Sequence, residues 1–227
     1  METNETIEDF LRKMQAKAVI FDLDGTLIDN NAYHLQTWKK YLEKTGRNIS
    51  EEAYRKNING RTNKDALEYI YNRRMTNDEA MVFALEKEAL YREIYKPFIK
   101  PVHGLLVLLE ALYKKNIPMA IATSGIQVNI DFMFKHISIK KYFSIIVNAA
   151  HISKGKPDPE IYQKTASLLQ VPPAHCLVFE DAAVGVQAAK AAGMHVIALT
   201  TTQTVQELSQ ADLIIPDFSA LIPNPTP

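Results

Sequence analysis

The sequence lacks a second cysteine, an excess of charge of either sign and any long apolar run. A lone Cys176 excludes disulfides within the chain, and its place beside Leu177, Val178 and Phe179 predicts a buried core thiol. Lys and Arg total 26 and Asp and Glu total 26, so the zero net charge gives no basic footprint for nucleic acid and no polybasic surface for a membrane. No apolar run approaches the roughly 18 to 20 residues that span a bilayer. The first ten residues, METNETIEDF, are polar and acidic, unlike a signal or transit peptide, so a cytoplasmic soluble protein is expected. The 227 residues suffice for one large domain or a core with an inserted one, and a hydrophobic content of 47% suits a globular fold.

What is present falls into two regimes. Ile7, Phe10, Leu11 and Met14 recur at helical spacing, and the run Ala18-Val19-Ile20-Phe21 then reads as a buried strand over residues 18 to 22. Residues 31–98 carry four helical patterns with short links. The first ends at Gly46; the others open near Ser50, Thr62 and Thr76 or Asn77, and Pro97 and Pro101 follow. Beyond Val102, helices and strands alternate, with strands expected at 117–123, 143–148, 176–180, 195–199 and 212–215 and a short helix before the last. The terminal LIPNPTP is too rich in proline for a helix. The expected fold is α/β, a Rossmann-like parallel-sheet core formed by residues 1–30 and 99–227, with a small all-helical cap at 31–98. The insertion leaves the sheet at a strand's carboxyl end, where open α/β sheets form their sites.

Four polar clusters each fall just beyond an expected strand: Asp22-Leu23-Asp24, Thr123-Ser124-Gly125, Gly155-Lys156-Pro157-Asp158 and Glu180-Asp181. Each alone has an ordinary reading as a turn, a helix cap or a solvated loop. Parallel strands, however, bring such ends to one crevice. Carboxylates gathered there repel unless a hard cation with oxygen ligands, most simply Mg²⁺, joins them. A carboxylate nucleophile then splits phosphoryl transfer into two steps, and a second carboxylate two residues on can carry the proton. A hydroxyl, a lysine and backbone N–H groups can hold the phosphoryl oxygens.

The ordered motifs F-D-L-D-G-T, T-S-G, G-K-P-D-P-E and F-E-D-A-A-V-G resemble those of the haloacid dehalogenase superfamily, closest to its β-phosphoglucomutase-like enzymes and sugar-phosphate phosphatases. The resemblance runs from about Lys17 to Asp217. It implies Asp22 as nucleophile and Asp24 as general acid/base. It also implies Thr123, Ser124 and Lys156 around the phosphate, and a Mg²⁺ site of Asp22, Asp24 (through its backbone carbonyl), Glu180 and Asp181. A cap that opens and closes over the substrate is implied as well. Haloacid dehalogenases proper lack the second aspartate, and Asp24 with the Glu180-Asp181 pair argues against them.

Substrate and cap contacts are expected from His34 and Trp38, which lie four apart on one helix face, and from Gly60, Arg61, Asn63 and Lys64. Where the mutases of this branch carry cations for a second phosphate, this chain has Asn59, Asn63 and Ile126, and each lost charge-assisted contact weakens retention of a bisphosphate by about 1.5 to 3 kcal/mol. A Mg²⁺-dependent phosphatase acting as a monomer on a small phosphorylated metabolite, with no nucleic-acid or membrane partner, is therefore expected. β-Phosphoglucomutase is the alternative. A non-enzymatic phospho-acceptor module of the receiver type is more remote, because Lys156 precedes the Glu180-Asp181 pair and a long block interrupts the sheet. Asn30 replaces a usual serine or threonine, with no role legible.

Overall fold

The computed structural model describes residues 6–222; the first five residues and the Pro-Asn-Pro-Thr-Pro end of the expected tail lie outside the described residues. Strand β1 (Ala18–Phe21) is buried along its whole length. Val19 and Phe21 join one apolar cluster and Ala18 and Ile20 another, the alternation of a strand covered on both faces. With β2 (Met119–Ala122), β3 (Ile145–Val147), β4 (Cys176–Glu180), β5 (His195–Leu199) and β6 (Leu213–Ile215) it forms a six-stranded sheet in the order β3-β2-β1-β4-β5-β6. Every pairing is parallel. The fold is thus α/β with a Rossmann-like core.

Helices cover both faces. Ile7, Phe10 and Leu11 of α1 (Ile7–Lys13) pack on the Phe21 side with Leu105, Leu108, Leu109 and Leu112 of α6 (Leu105–Lys114) and with Ile130 and Met133 of α7 (Gln127–His136). The opposite face is covered by α8 (Glu160–Leu169) and α9 (Ala183–Ala191), through Ile161, Tyr162, Ala166, Val186, Ala188 and Ala189. Cys176 is buried there as expected, and burial pushes its thiol up to about 11.

Four helices stand between β1 and α6: α2 (Asn31–Glu43), α3 (Glu51–Asn57), α4 (Asn63–Tyr71) and α5 (Asn77–Tyr95). Ser50, Thr62 and Thr76 each accept a backbone N–H three residues on, so three of the expected helix starts are capped as the sequence suggests. The four helices share an apolar cluster of their own that includes Trp38, Leu42, Tyr54, Ile58, Leu67 and Ala80. The end of α5 joins the sheet's core through Tyr91 and Tyr95, and Tyr33 of α2 packs against it.

Two expectations fail at the chain's end. Residues 201–210 form turns rather than a helix. Their polar side chains are engaged elsewhere: Thr201 donates to the Gly25 carbonyl, and Gln203 accepts from Ala183 N–H and donates to the Arg55 carbonyl. Leu221, first residue of the proline-rich end, closes a one-turn 3-10 helix, Phe218–Leu221. Among the described residues, no helix is long and apolar enough to cross a membrane.

Candidate active site

The sheet reverses its strand order between β1 and β4, and Phe21 pairs with Phe179 and Ile121, so the first residues beyond β1, β2 and β4 converge. Those residues include Asp22, Thr123 and Asp181, with Glu180 ending β4. Lys156, from the loop before α8, is fully buried among them. Its ammonium donates to Asp22 Oδ1 at 2.6 Å and to Glu180 Oε1 at 2.5 Å.

Glu180 is fixed further by Tyr162 O–H and by the N–H groups of Asp181 and Ala182. Oxygens of Asp22, Glu180 and Asp181 lie within 4.8 Å of one another. Three carboxylates thus meet one ammonium. Burial raises the pKa of Asp22 to about 8 despite Lys156, with Glu180 and Asp24 pushing the same way. Burial, then Glu180 and Asp22, raises that of Asp181 well above its ordinary value. Burial opposes the charge of Lys156, but Asp22 and Glu180 more than offset it and push its pKa up. The cluster is short of positive charge, and its all-oxygen donor set fits a hard divalent cation.

Asp24, half-buried one turn further on, is held differently. Burial opposes its ionisation, yet His34 and then the Asn30 amide prevail and lower its pKa. Asn30 donates to Asp24 Oδ1 and to Tyr91 O–H and accepts from Gly25 N–H, which gives a role to a residue the sequence left unread. His34 Nε2 lies 3.4 Å from Asp24 Oδ1. Its Nδ1 is 3.0 Å from Lys87 Nζ, and an ammonium can only donate, so the ring proton sits on Nε2, facing Asp24. Gly25 must be glycine: its φ is +79°, and a Cβ would stand 2.1 Å from Asp181 Oδ2.

Between sheet and inserted helices lies a cavity of about 50 Å³, room for only a few waters. Asp22, Asp24, Thr123 and Ser124 line it from the sheet side, and His34, Trp38, Gly60, Arg61 and Asn63 from the helical side. Thr123 Oγ1 accepts from Gly125 N–H. Ser124 donates its hydroxyl to the Gly60 carbonyl at 2.8 Å, so it joins sheet and insert. Lys64 is not brought to the cavity. It sits in the first turn of α4, turned away from the wall, and donates to Asn77 near the surface.

The sequence reading missed several lining residues: Asn31, Tyr54, Asn59, Lys87 and Glu88. Asn31 donates to Asp181 Oδ2 and accepts from Tyr54 O–H. Lys87 and Glu88, both buried on α5, form an ion pair at 2.8 Å. The Lys87 ammonium also lies 4.9 Å from the Trp38 ring centre. The pair looks like part of a solvated charged face, but both residues fall in the buried stripe Ala80, Ala84, Lys87, Glu88, Tyr91 and Tyr95. That helical spacing is the signal that could have found them.

Residues 19–199 match the family model of haloacid dehalogenase-like hydrolases. The chain is 31% identical over 178 residues to a phosphorylated carbohydrates phosphatase of Thermotoga maritima, covering 78% of this chain and 82% of the relative. It is also 31% identical over 212 residues to the beta-phosphoglucomutase of Bacillus subtilis, with coverage of 90% and 91%. The crystal structure of a family IA, variant 3 HAD hydrolase from Entamoeba histolytica superposes with a TM-score of 0.79 at 38% identity, covering 89% of this chain and 94% of that one.

Proposed function

Because this chain belongs to the haloacid dehalogenase-like hydrolases and is a phosphoric monoester hydrolase, we propose that it dephosphorylates a sugar phosphate or similar small metabolite through an aspartyl-phosphate on Asp22. The observation that carries this reading is geometric: oxygens of Asp22, Glu180 and Asp181 lie within 4.8 Å of one another where Lys156 donates to Asp22, with Asp24 two residues on in the cavity wall. Asp22, Glu180, Asp181 and the Asp24 carbonyl would hold Mg²⁺, which supplies the missing positive charge, ionises Asp22 and draws charge from phosphoryl oxygens. Thr123 and Lys156 are read as phosphate-binding groups.

Asp22 attacks phosphorus while the bond to the leaving ester oxygen breaks, and Asp24 gives that oxygen its proton. An approaching phosphate dianion raises the proton affinity of Asp24, which equips it as acid in this half. Left ionised, Asp24 then takes a proton from water, whose oxygen attacks phosphorus and releases phosphate from Asp22. Residues 31–98 are read as a cap on a core of 1–30 and 99–227, and the small cavity supports closure after substrate entry.

Purified protein with Mg²⁺ is expected to release inorganic phosphate from hexose or pentose phosphates. EDTA should stop the release, and Asp22→Asn should lower it by about a thousandfold or more. Efficient interconversion of β-glucose 1-phosphate and glucose 6-phosphate with negligible phosphate release would overturn hydrolysis in favour of the mutase. Water as acceptor is supported by the site's cations: Lys87 in the cavity wall and Lys156 buried behind Asp22 are each matched by carboxylates, leaving Arg61 of the lining without a carboxylate partner among the described residues.

A further inference from the structure

The cavity has a second wall whose charges the hydrolytic steps above do not use. From Asp24 a chain of contacts leads away from the nucleophile, through His34 at 3.4 Å to Lys87 at 3.0 Å and then to Glu88 at 2.8 Å. Glu88 lines the cavity and is separated from Asp24 by His34 and Lys87 along this chain. Its carboxylate is fully engaged. Oε1 accepts from Lys87 and, at 3.0 Å, from Asn63; Oε2 accepts from Asn129 at 2.8 Å.

The consequence is electrostatic. Lys87 is the one ammonium on this wall, and a buried ammonium facing a cavity is a ready contact for a phosphate dianion. Glu88 neutralises it from the adjacent position on α5, with both side chains 3% exposed. Beside the cancelled pair the wall offers amide groups: Asn63 half-buried, and Asn59, whose buried Nδ2 has no hydrogen-bond partner among the described residues. An unpartnered buried amide donor in a cavity wall calls for a ligand oxygen. Arg61, which follows the Gly60 carbonyl that accepts from Ser124, is then the lining cation without a carboxylate partner among the described residues. The site thus carries cationic capacity for one phosphate and hydroxyl-binding groups opposite.

We propose that Glu88 is a specificity-determining residue: by cancelling Lys87 it restricts the site to monophosphates with a neutral, hydroxylated distal end and rejects sugar bisphosphates. This rests on the reading of Asp22 as the place of phosphoryl transfer, and it adds the substrate class.

The chain's single tryptophan, Trp38, lines the cavity beside Lys87, so its emission reports binding without turnover. Dissociation constants would be measured for glucose 6-phosphate against glucose 1,6-bisphosphate, and for fructose 6-phosphate against fructose 1,6-bisphosphate. Phosphate release would be followed in parallel. Wild-type protein is expected to bind each bisphosphate about tenfold or more weakly than its monophosphate. Glu88→Gln, which leaves Lys87 uncancelled, should bring the two within about twofold or reverse them, whereas Glu88→Asp should keep the wild-type ratio.

A wild-type protein that binds bisphosphates as tightly as monophosphates overturns the proposal without any variant, as does an unchanged ratio in a Glu88→Gln protein that melts cooperatively. Phosphate release accompanied by tight bisphosphate binding would sink this inference and spare hydrolysis. Selective monophosphate binding with no phosphate release would do the reverse.

Discussion

At the residue scale, the same pairing that cancels Lys87 also makes Glu88 a stability determinant. Burial opposes its ionisation, but Lys87, then His34, and the Asn129 amide hold its pKa down to about 2, from an ordinary 4.5. A folded-state pKa below the unfolded one adds stability that is complete above the unfolded value and is lost as pH falls through the folded one. The window is therefore pH 4.5 to about 2, and the contribution near neutrality is about 3 kcal/mol. Urea denaturation should find Glu88→Gln less stable than wild type by about that amount at pH 7, and the gap should narrow as pH falls toward 2. A gap that is constant with pH would sink this account. The convergence of Asp22, Lys156, Glu180 and Asp181 was legible because each follows an expected strand or precedes an expected helix of a parallel sheet. Lys87 and Glu88 were not, because a lysine beside a glutamate on a long helix looks the same whether it faces water or a cavity.

At the element scale, the start of α9 is built around Glu180. That carboxylate accepts from the N–H groups of Asp181 and Ala182, the two residues that lead into the helix. A Cβ on Gly185 would stand 1.7 Å from Glu180 Oε1. Gly185→Ala must displace the carboxylate that holds Lys156, so it should destabilise by about 1 to 3 kcal/mol in urea melts. It should also reduce phosphate release well beyond what that loss of folded protein explains. Activity at the wild-type level would refute the tight packing. Strand and helix identities were readable from period and caps, with boundaries shifted by only a residue or two where runs fray. The short helix expected after β5 does not form: Thr204 and Glu207 bond to each other, but the preceding Thr201 and Gln203 are tied to Gly25, Arg55 and Ala183. Those partners lie far away in sequence.

At the scale of the whole molecule, the inserted helices and the sheet meet through polar groups as well as through the apolar contacts of Tyr33, Tyr91 and Tyr95. Asn129 of α7 is one joint: its amide donates to Glu88 and accepts from Arg92, both on α5. Asn129→Ala removes the donor to Glu88 Oε2 at a buried contact and the acceptor of half-buried Arg92, and should lower stability by about 1 to 3 kcal/mol. It should also speed hydrogen exchange in α5 more than in β1 or β4, as measured by mass spectrometry. Equal effects on helix and sheet would show that the joint does not bind insert to core.

The sequence by itself determined the α/β layout, the helical interruption after β1 and the residues gathered at the strand ends. These follow from short-range rules: strand period, helix caps, and the convergence of parallel strand ends at one edge. Tertiary structure decided what those rules do not reach. It engaged Ser124 with Gly60, turned Lys64 outward, gave Asn30 to Asp24 and set Glu88 against Lys87 in the cavity wall. The physical reason is that burial fixes a polar side chain's partner and charge state, and burial is a property of the packed chain.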